Sequence, residues 1–357
     1  MLLLGWRPEG SEPVARVPGI EGFAPRRTDT LNGALVSFAL TELLPDPSIA
    51  RLGQHATREN VAAFRARKGL DDPFLARWGR FVRDATTLEF GEDLVRDDGT
   101  TVGAGIRSRF PATFELALAA MLLAVVLGLV AGALGAVFPR RLADAVAQVF
   151  ALVGASVPVF WLGFMASLLF AVKLEWLPHP DWSLRVIAPD AGPGGYATRF
   201  LFLESIARLD LGAVGRALAH LALPAMVLST IPLAVVTRMT RATMLEELGR
   251  DYVRTARAKG APETRVVTRH ALRNALIPIV TVTGLQTGAL LGGAVLTETV
   301  FAWPGLGRYV AEAVRSGNGP VVVAGVFTFA ATFVVVNLLV DIAYVLVDPR
   351  LRRGGAT

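Results

Sequence analysis

Three sets of residues in this sequence have types and spacings suited to chemistry or to force transfer. The first is a pair of acids inside apolar runs, Glu298 and Asp341; Asn337 lies four positions before Asp341 and so on the same helical face. An ionisable group in that setting suits an ion or proton relay, or a structural pairing inside a bundle. For Asp341 the structural role is preferred, because Arg350, Arg352 and the loop arginines are close enough to pair with it. Glu298, near the end of its run, is expected to snorkel to water. The second set is Ser156 with Pro158, which either lines a path or forms a packed kink. The third is the basic stretch from Arg238 to Arg273, centred on Arg254-Thr255-Ala256-Arg257-Ala258-Lys259-Gly260.

The basic stretch reads as helix, break, helix. From Met244 to Ala258 the spacing predicts one helix, with Leu245, Leu248, Tyr252 and Ala256 on one side and Arg250, Arg254 and Arg257 on another. Gly260 suits a helix stop, and Pro262 can open a second helix carrying Arg265, Arg269 and Arg273. A mere connector needs only a few residues. A solvated helical pair of this length has the shape of a docking surface for another protein, although its arginines could equally meet anionic lipid.

Several chemistries are missing from the sequence. Lys68, Lys173 and Lys259 are its only lysines and none follows a glycine, so no phosphate-cradling Gly-Lys loop can form. With no cysteine there is no disulfide or thiolate metal site, and the four histidines lack metal-ligand spacing. No Ser/His/Asp set falls in the apolar runs. The chain is therefore expected to hold no cofactor and to act as no enzyme.

The elements that position these residues are membrane helices. With 53% hydrophobic and 18% charged residues, the chain falls below the roughly 25% charge of soluble domains. Apolar windows of the ~20 residues a bilayer requires cover 112–138, 144–172, 217–236, 276–300 and 321–347. Pro224 and Pro232 fall inside the third. Residues 31–44 make a weak first span, reaching only about 21 Å of the ~30 Å hydrocarbon core. The expected class is an all-α integral membrane protein of about six spans, with residues 45–111 forming an external segment. The net charge of +6 gathers at span ends, as the positive-inside rule expects, and implies membrane lipid and no nucleic acid as its contact. Segment 238–275, the Pro139-Arg140-Arg141 turn and the tail 348–357 then face the cytoplasm, as do both termini. Gly132, Gly135 and the Gly292-Gly293 pair are expected at close helix contacts.

The runs Asp251-Tyr252-Val253-Arg254-Thr255-Ala256-Arg257-Ala258-Lys259-Gly260, His270-Ala271-Leu272-Arg273-Asn274-Ala275 and Leu296-Thr297-Glu298-Thr299-Val300-Phe301-Ala302-Trp303-Pro304-Gly305-Leu306-Gly307-Arg308 closely resemble the membrane subunits of binding-protein-dependent ABC importers. The likeness is to the B-type permease of dipeptide, oligopeptide and nickel systems. It extends through Ser156-Val157-Pro158, Asn337-Leu338-Leu339-Val340-Asp341 and Asp348-Pro349-Arg350, from about residue 34 to 353. It implies the type I importer fold, a bacterial or archaeal inner-membrane location, and alternating access driven by other subunits. The implied partners are a second homologous permease, two ATP-binding subunits that hold the ATP and Mg, and an external solute-binding protein.

In that family a cytoplasmic coupling loop with the pattern Glu-Ala-Ala, three residues, Gly sits in a cleft of the ATPase. Here Gly260 takes the glycine position, Ala256 and Thr255 the two alanines, and Arg254 stands where the glutamate would be. The resemblance also implies that 301–308 forms an external loop near the translocation path, with Trp303 anchoring at the lipid interface as the other reading. Peptides are the expected cargo, with nickel or another small solute as the alternative. An ion-coupled secondary transporter using Asp341 and Glu298 would instead keep working without ATPase partners, and a non-functional copy would be absent from membranes. The proline-rich leader 1–30 departs from the family and is expected to reflect a misplaced start or a frameshift. Reading the upstream DNA should then reveal an apolar segment in another frame; finding none would dismiss that origin.

Overall fold

The computed structural model describes residues 57–347, apart from 69–70, 88, 94–98, 189–195 and 197. The leader 1–30, the weak span 31–44 and the tail 348–357 lie outside the described residues. Helices make up the regular structure: α1 (Arg58–Lys68), α2 (Phe74–Thr87), α3 (Val102–Val137), α4 (Leu142–Ser156), α5 (Val159–Ala166), α6 (Leu184–Ile187), α7 (Leu201–Ala207), α8 (Leu211–Leu248), α9 (Asp251–Ala258), α10 (Glu263–Arg265), α11 (Arg273–Val300), α12 (Leu306–Arg315) and α13 (Gly319–Val347). Residues Ser167–Lys173 and Val266–Leu272 continue their helices with wider π winding. The one β pairing among the described residues is the isolated bridge of Glu92 with Thr101.

Three of these helices are long and apolar enough to cross a membrane: α3, α8 and, over Gly319–Val340, α13. A fourth candidate joins Glu263–Leu290 to Ala294–Val300 across a 50° bend. The window 144–172 divides into α4 and α5, because Pro158 lacks an N–H and disfavours helix at Val157 before it. α3 begins before its apolar window. Thr101 caps it by accepting from the Ala104 amide, and Val102 and Ile106 are buried with Leu306, Tyr309 and Val321.

Register contacts fix how the long helices run. A β-carbon placed on Gly128 would lie 2.8 Å from Val236, one on Gly132 would lie 2.6 Å from the Thr237 carbonyl, and one on Gly135 would lie 3.4 Å from Arg241. Advancing positions on α3 thus meet advancing positions on α8, so the two helices run parallel with nearly touching backbones. The predicted packing at Gly132 and Gly135 is present, with Gly128 completing the stripe. α11 runs the other way, since its end at Glu298 meets Thr113 near the start of α3. Val340 lies against Gly284 and Phe333 against Gly288, so α13 is antiparallel to α11.

Gly292 does something different from the packing expected of the Gly292-Gly293 pair. A β-carbon at Gly292 would meet nothing within 4 Å, and the pair lies in the stretch where α11 bends. Adjacent glycines here loosen the helix; the close approach to α13 is made one and two turns earlier, at Gly288 and Gly284.

Gly132→Leu is expected to force α3 off α8 and to cost about 1–3 kcal/mol, the usual range for overpacking. A lowered thermal midpoint of the purified protein in detergent would show it, whereas an unchanged midpoint would mean that α3 and α8 do not rely on this contact.

Candidate functional site

The basic segment lies at the end of the bundle where α3 and α8 finish and α11 begins. The predicted helix over Met244–Ala258 is in fact two. α8 stops at Leu248, the Gly249 amide donates to the carbonyls of Glu246 and Glu247, and Arg250 is extended with φ −75° and ψ 152° before α9 begins. Leu245 and Leu248 therefore belong to a different axis from Tyr252 and Ala256. The physical reason is Gly249, whose low helix propensity lets the chain turn where the apolar pattern alone reads through.

α9 is held by side chains on three elements. The Tyr252 hydroxyl donates to Glu247 Oε2 at 2.5 Å and lies 3.2 Å from the His270 carbonyl, and Asn274 Nδ2 donates to that hydroxyl at 2.9 Å. Loss of water contact, and then the Glu247 carboxylate, raise the tyrosine above the ordinary phenol range, so it remains a donor. Arg250 reaches Glu246 at 2.8 Å and Glu247 at 3.0 Å. Val253 and Val266 are fully buried, while Met244, Ala271 and Ala275 build the small core beneath.

The break after α9 follows the sequence expectation. Lys259 caps the helix and Gly260 takes φ +78°, a left-handed conformation open to glycine. The Gly260 amide donates to the Arg257 carbonyl, and the Ala261 amide to the Ala256 carbonyl. Pro262 then precedes the short α10. Arg257 spans the turn in a two-pronged contact with Glu263, at 2.6 and 3.1 Å, and holds that carboxyl below its usual range. What remains outward is Arg254, Thr255, Ala258 and Lys259, all exposed, with Ala256 partly covered. Arg254 reaches Asp251 at 3.4 Å, and both side chains are largely in water. The segment therefore presents a rigid, cationic outer face on a short helix.

One ion pair beside this segment escaped the sequence reading. Asp144, only 3% exposed in its side chain, receives Arg241 Nε at 2.6 Å and Nη2 at 2.8 Å. The Arg140 amide and Gln148 Nε2 also donate to it, at 2.9 and 2.8 Å. Its one signal in the sequence was a lone acid opening an otherwise uncharged run.

The opposite end of the bundle corrects two expectations. Glu298 does not snorkel: it is fully buried, accepting from Thr113 Oγ1 at 2.5 Å and from the Arg308 amide at 2.8 Å. Thr113 in turn accepts from the Leu306 amide at 2.7 Å. Gly305 and Gly307 are required there, because a β-carbon on the first would press on the Glu298 carboxylate and one on the second on the Val295 backbone and that carboxylate. Nor is Trp303 at a lipid interface. It is 1% exposed, stacks on Trp182 with centroids 4.6 Å apart, and donates to the Ala112 carbonyl at 3.0 Å. Close by, Tyr309 and Asn318 donate to Asp93, and Arg109 lies 4.1 Å over the Tyr309 ring. A cavity of about 680 Å³ opens here, with Arg109, Arg199, Tyr196, Trp182, Ser108 and Thr198 among its lining.

The remaining predicted positions are scattered. Ser156 is exposed at the last residue of α4, where the helix breaks before Pro158. Asn337 is half-buried in α13; Asp341 is on the same helix, and its side chain lies outside the described residues. Among the described residues no His, Asp or Glu group is arranged to hold a metal ion.

Tyr252→Phe removes the hydroxyl that joins α9 to α8 and to the start of α11. Amide hydrogen exchange across 251–258 is expected to quicken roughly tenfold, since a hydrogen bond contributes about 0.5–1.5 kcal/mol. Unchanged exchange would place the hold on α9 elsewhere.

Comparison with known proteins agrees with this architecture. The family model described as "Binding-protein-dependent transport system inner membrane component" matches residues 100–353. The di/tripeptide transport system permease protein DppB of Pseudomonas aeruginosa is 43% identical over 322 residues, covering 89% of this chain and 93% of that protein. The dipeptide transport system permease protein DppB of Alkalihalophilus pseudofirmus is 38% identical over 89% of this chain and 94% of its own length. The glutathione transport system permease protein GsiC of Escherichia coli is 34% identical over 89% of this chain and 93% of its own length. An all-α membrane bundle, a match across most of the chain and relatives that are all transport permeases lead to one conclusion: the chain belongs to the family of inner-membrane components of binding-protein-dependent transport systems, the permeases of ABC importers.

Proposed function

We propose that this chain is the membrane half of a peptide importer and that α9, Gly260 and α10 form its coupling segment. The observation that carries the second part is the build of that segment: an eight-residue helix with a cationic outer face, clamped by Tyr252 and Arg250 to α8 and by Tyr252 to the start of α11. Such a piece moves as a unit with the spans it is fixed to. A partner pressing on Arg254, Thr255, Ala258 and Lys259 would transmit its motion with little loss.

In this reading the segment faces the cytoplasm and seats in a cleft of an ATP-binding subunit. ATP and Mg stay on two such subunits, a second homologous permease completes the membrane portion, and a solute-binding protein delivers cargo from outside. ATP binding closes the ATPase pair, the coupling segments follow, and the spans reorient to accept substrate. Arg254 has no carboxylate to offer the cleft, so the cleft would supply an anion to meet it. Peptide cargo is supported by the names of the relatives, which handle dipeptides, tripeptides and glutathione. The cavity with Arg109 and Arg199 is of a size and charge that suit a small molecule bearing a carboxylate.

Gly260→Pro tests the coupling assignment. Proline cannot adopt φ +78°, and even alanine there would cost about 1–2 kcal/mol. Uptake of a labelled dipeptide by membranes carrying the whole transporter is expected to fall to background. ATP hydrolysis should no longer follow the loaded binding protein, while the amount of inserted protein stays the same. Normal uptake would sink the assignment.

A further inference from the structure

We propose that the Asp144–Arg241 pair is a positioning link that makes α4 and the α3–α4 turn follow the coupling segment. The proposal rests on the coupling role of α9 argued above and adds a route by which its motion reaches a helix it does not touch through the clamp just described.

The first observation is how completely Asp144 is satisfied. Both carboxylate oxygens are taken, two by the fork of Arg241 and again by the Arg140 amide and the Gln148 side chain. A two-pronged charged contact resists separation as well as compression, and it fixes orientation besides distance. Arg140 is held at φ +61°, unusual for a residue with a β-carbon, and its amide is one of the groups bound to Asp144. The carboxylate thus holds the turn in shape while it ties that turn to α8.

The second observation is independent. Just beyond the link, Val146 and Ala147 of α4 face a gap. This apolar gap of about 430 Å³ lies between α4 and α3 and α8, lined by Leu127, Leu134, Val146, Ala147, Leu233 and Thr237. Val146 and Val149 on α4 are more than half exposed. Packing across a gap can carry neither pull nor precise placement. At that gap the Asp144 fork is the charged contact that places the start of α4, and Gly154 comes within van der Waals distance of Thr230 further along.

The third observation is where Arg241 sits. Six residues further along the same helix is Glu247, which receives both Arg250 and Tyr252; at helical rise that is about 9 Å. Met244, fully buried between them, keeps this part of α8 in the core. Displacement of α9 therefore passes through Glu247 into α8, and through Arg241 into the turn and α4.

The test uses the complete transporter in proteoliposomes with its binding protein and labelled dialanine, reading uptake and ATP hydrolysis together. For Asp144→Asn, uptake per ATP hydrolysed is expected to drop roughly tenfold, the size of a typical coupling between two sites. Asp144→Glu should keep most of the ratio, and the exchanged pair Asp144→Arg with Arg241→Asp should regain part of it. If Asp144→Asn leaves uptake per ATP at the wild-type value, or lowers both activities only in step with the amount of assembled complex, the link has no positioning role. Should that variant fail to assemble, the naturally cysteine-free chain allows Asp144→Cys with Arg241→Cys, bridged by a short bifunctional thiol reagent after assembly. A ratio that rises on bridging supports the link, and one indifferent to bridging overturns it. Gly260→Pro, measured in parallel, separates the two ideas. If it imports normally, the coupling assignment itself fails; if it uncouples while Asp144→Asn does not, only the link is lost.

Discussion

Burying a charge away from water is the constraint around which this molecule is arranged. In a bundle surrounded by hydrocarbon, an unpaired carboxylate or an open amide costs several kcal/mol. Each buried acid described above is accordingly matched to donors on another part of the chain. Glu298 holds Thr113 and the amide of Arg308, Asp144 holds Arg241 and the amide of Arg140, and Asp93 holds Tyr309 and Asn318. Glu115, on α3, accepts the Leu203 amide through one oxygen, while its other oxygen is buried without a hydrogen-bond partner among the described residues. These acids do with hydrogen bonds what the apolar effect cannot do among lipid tails, which is to choose one arrangement of helices over others.

The two ends of the bundle use that principle for different purposes. At the far end the polar contacts are enclosed among Trp182, Trp303 and the small residues of the 301–308 turn, and they fasten α3, α11 and α12 into one block. At the basic end the contacts lie nearer the surface, and the helices between them are shorter and interrupted by glycine and proline. The first end is built to stay as it is. The second is built as small rigid pieces joined at defined breaks.

Much of this was legible from residue order alone. The long apolar windows announced α3, α8, α11 and α13, and the Gly260-Ala261-Pro262 run announced the break after α9. Other features could not be read locally. The interruption at Gly249 was hidden because the apolar spacing continues across it, and periodicity reports faces but not axes. Glu298 lies so near the end of its run that exposure was the natural expectation; only the fold-back of 301–308 encloses it. Asp144 and Arg241 are 97 residues apart, and pairing over that distance follows from parallel α3 and α8, which no local pattern encodes. The first span, the leader and the Asp341 side chain lie outside the described residues.

The enclosure of Glu298 carries a consequence for how this protein can change over time. Because its carboxylate occupies the room where a β-carbon at 305 would go, the freedom of that position is set by a residue several places earlier in the chain, whereas at 307 the backbone of Val295 closes the space as well. A side chain could enter the turn only after Glu298 had been shortened, and shortening it first would strand the hydroxyl of Thr113 and the amide of Arg308. Each single step passes through a damaged intermediate, so Gly305 and Glu298 are bound to persist, or to be replaced, as one inherited unit.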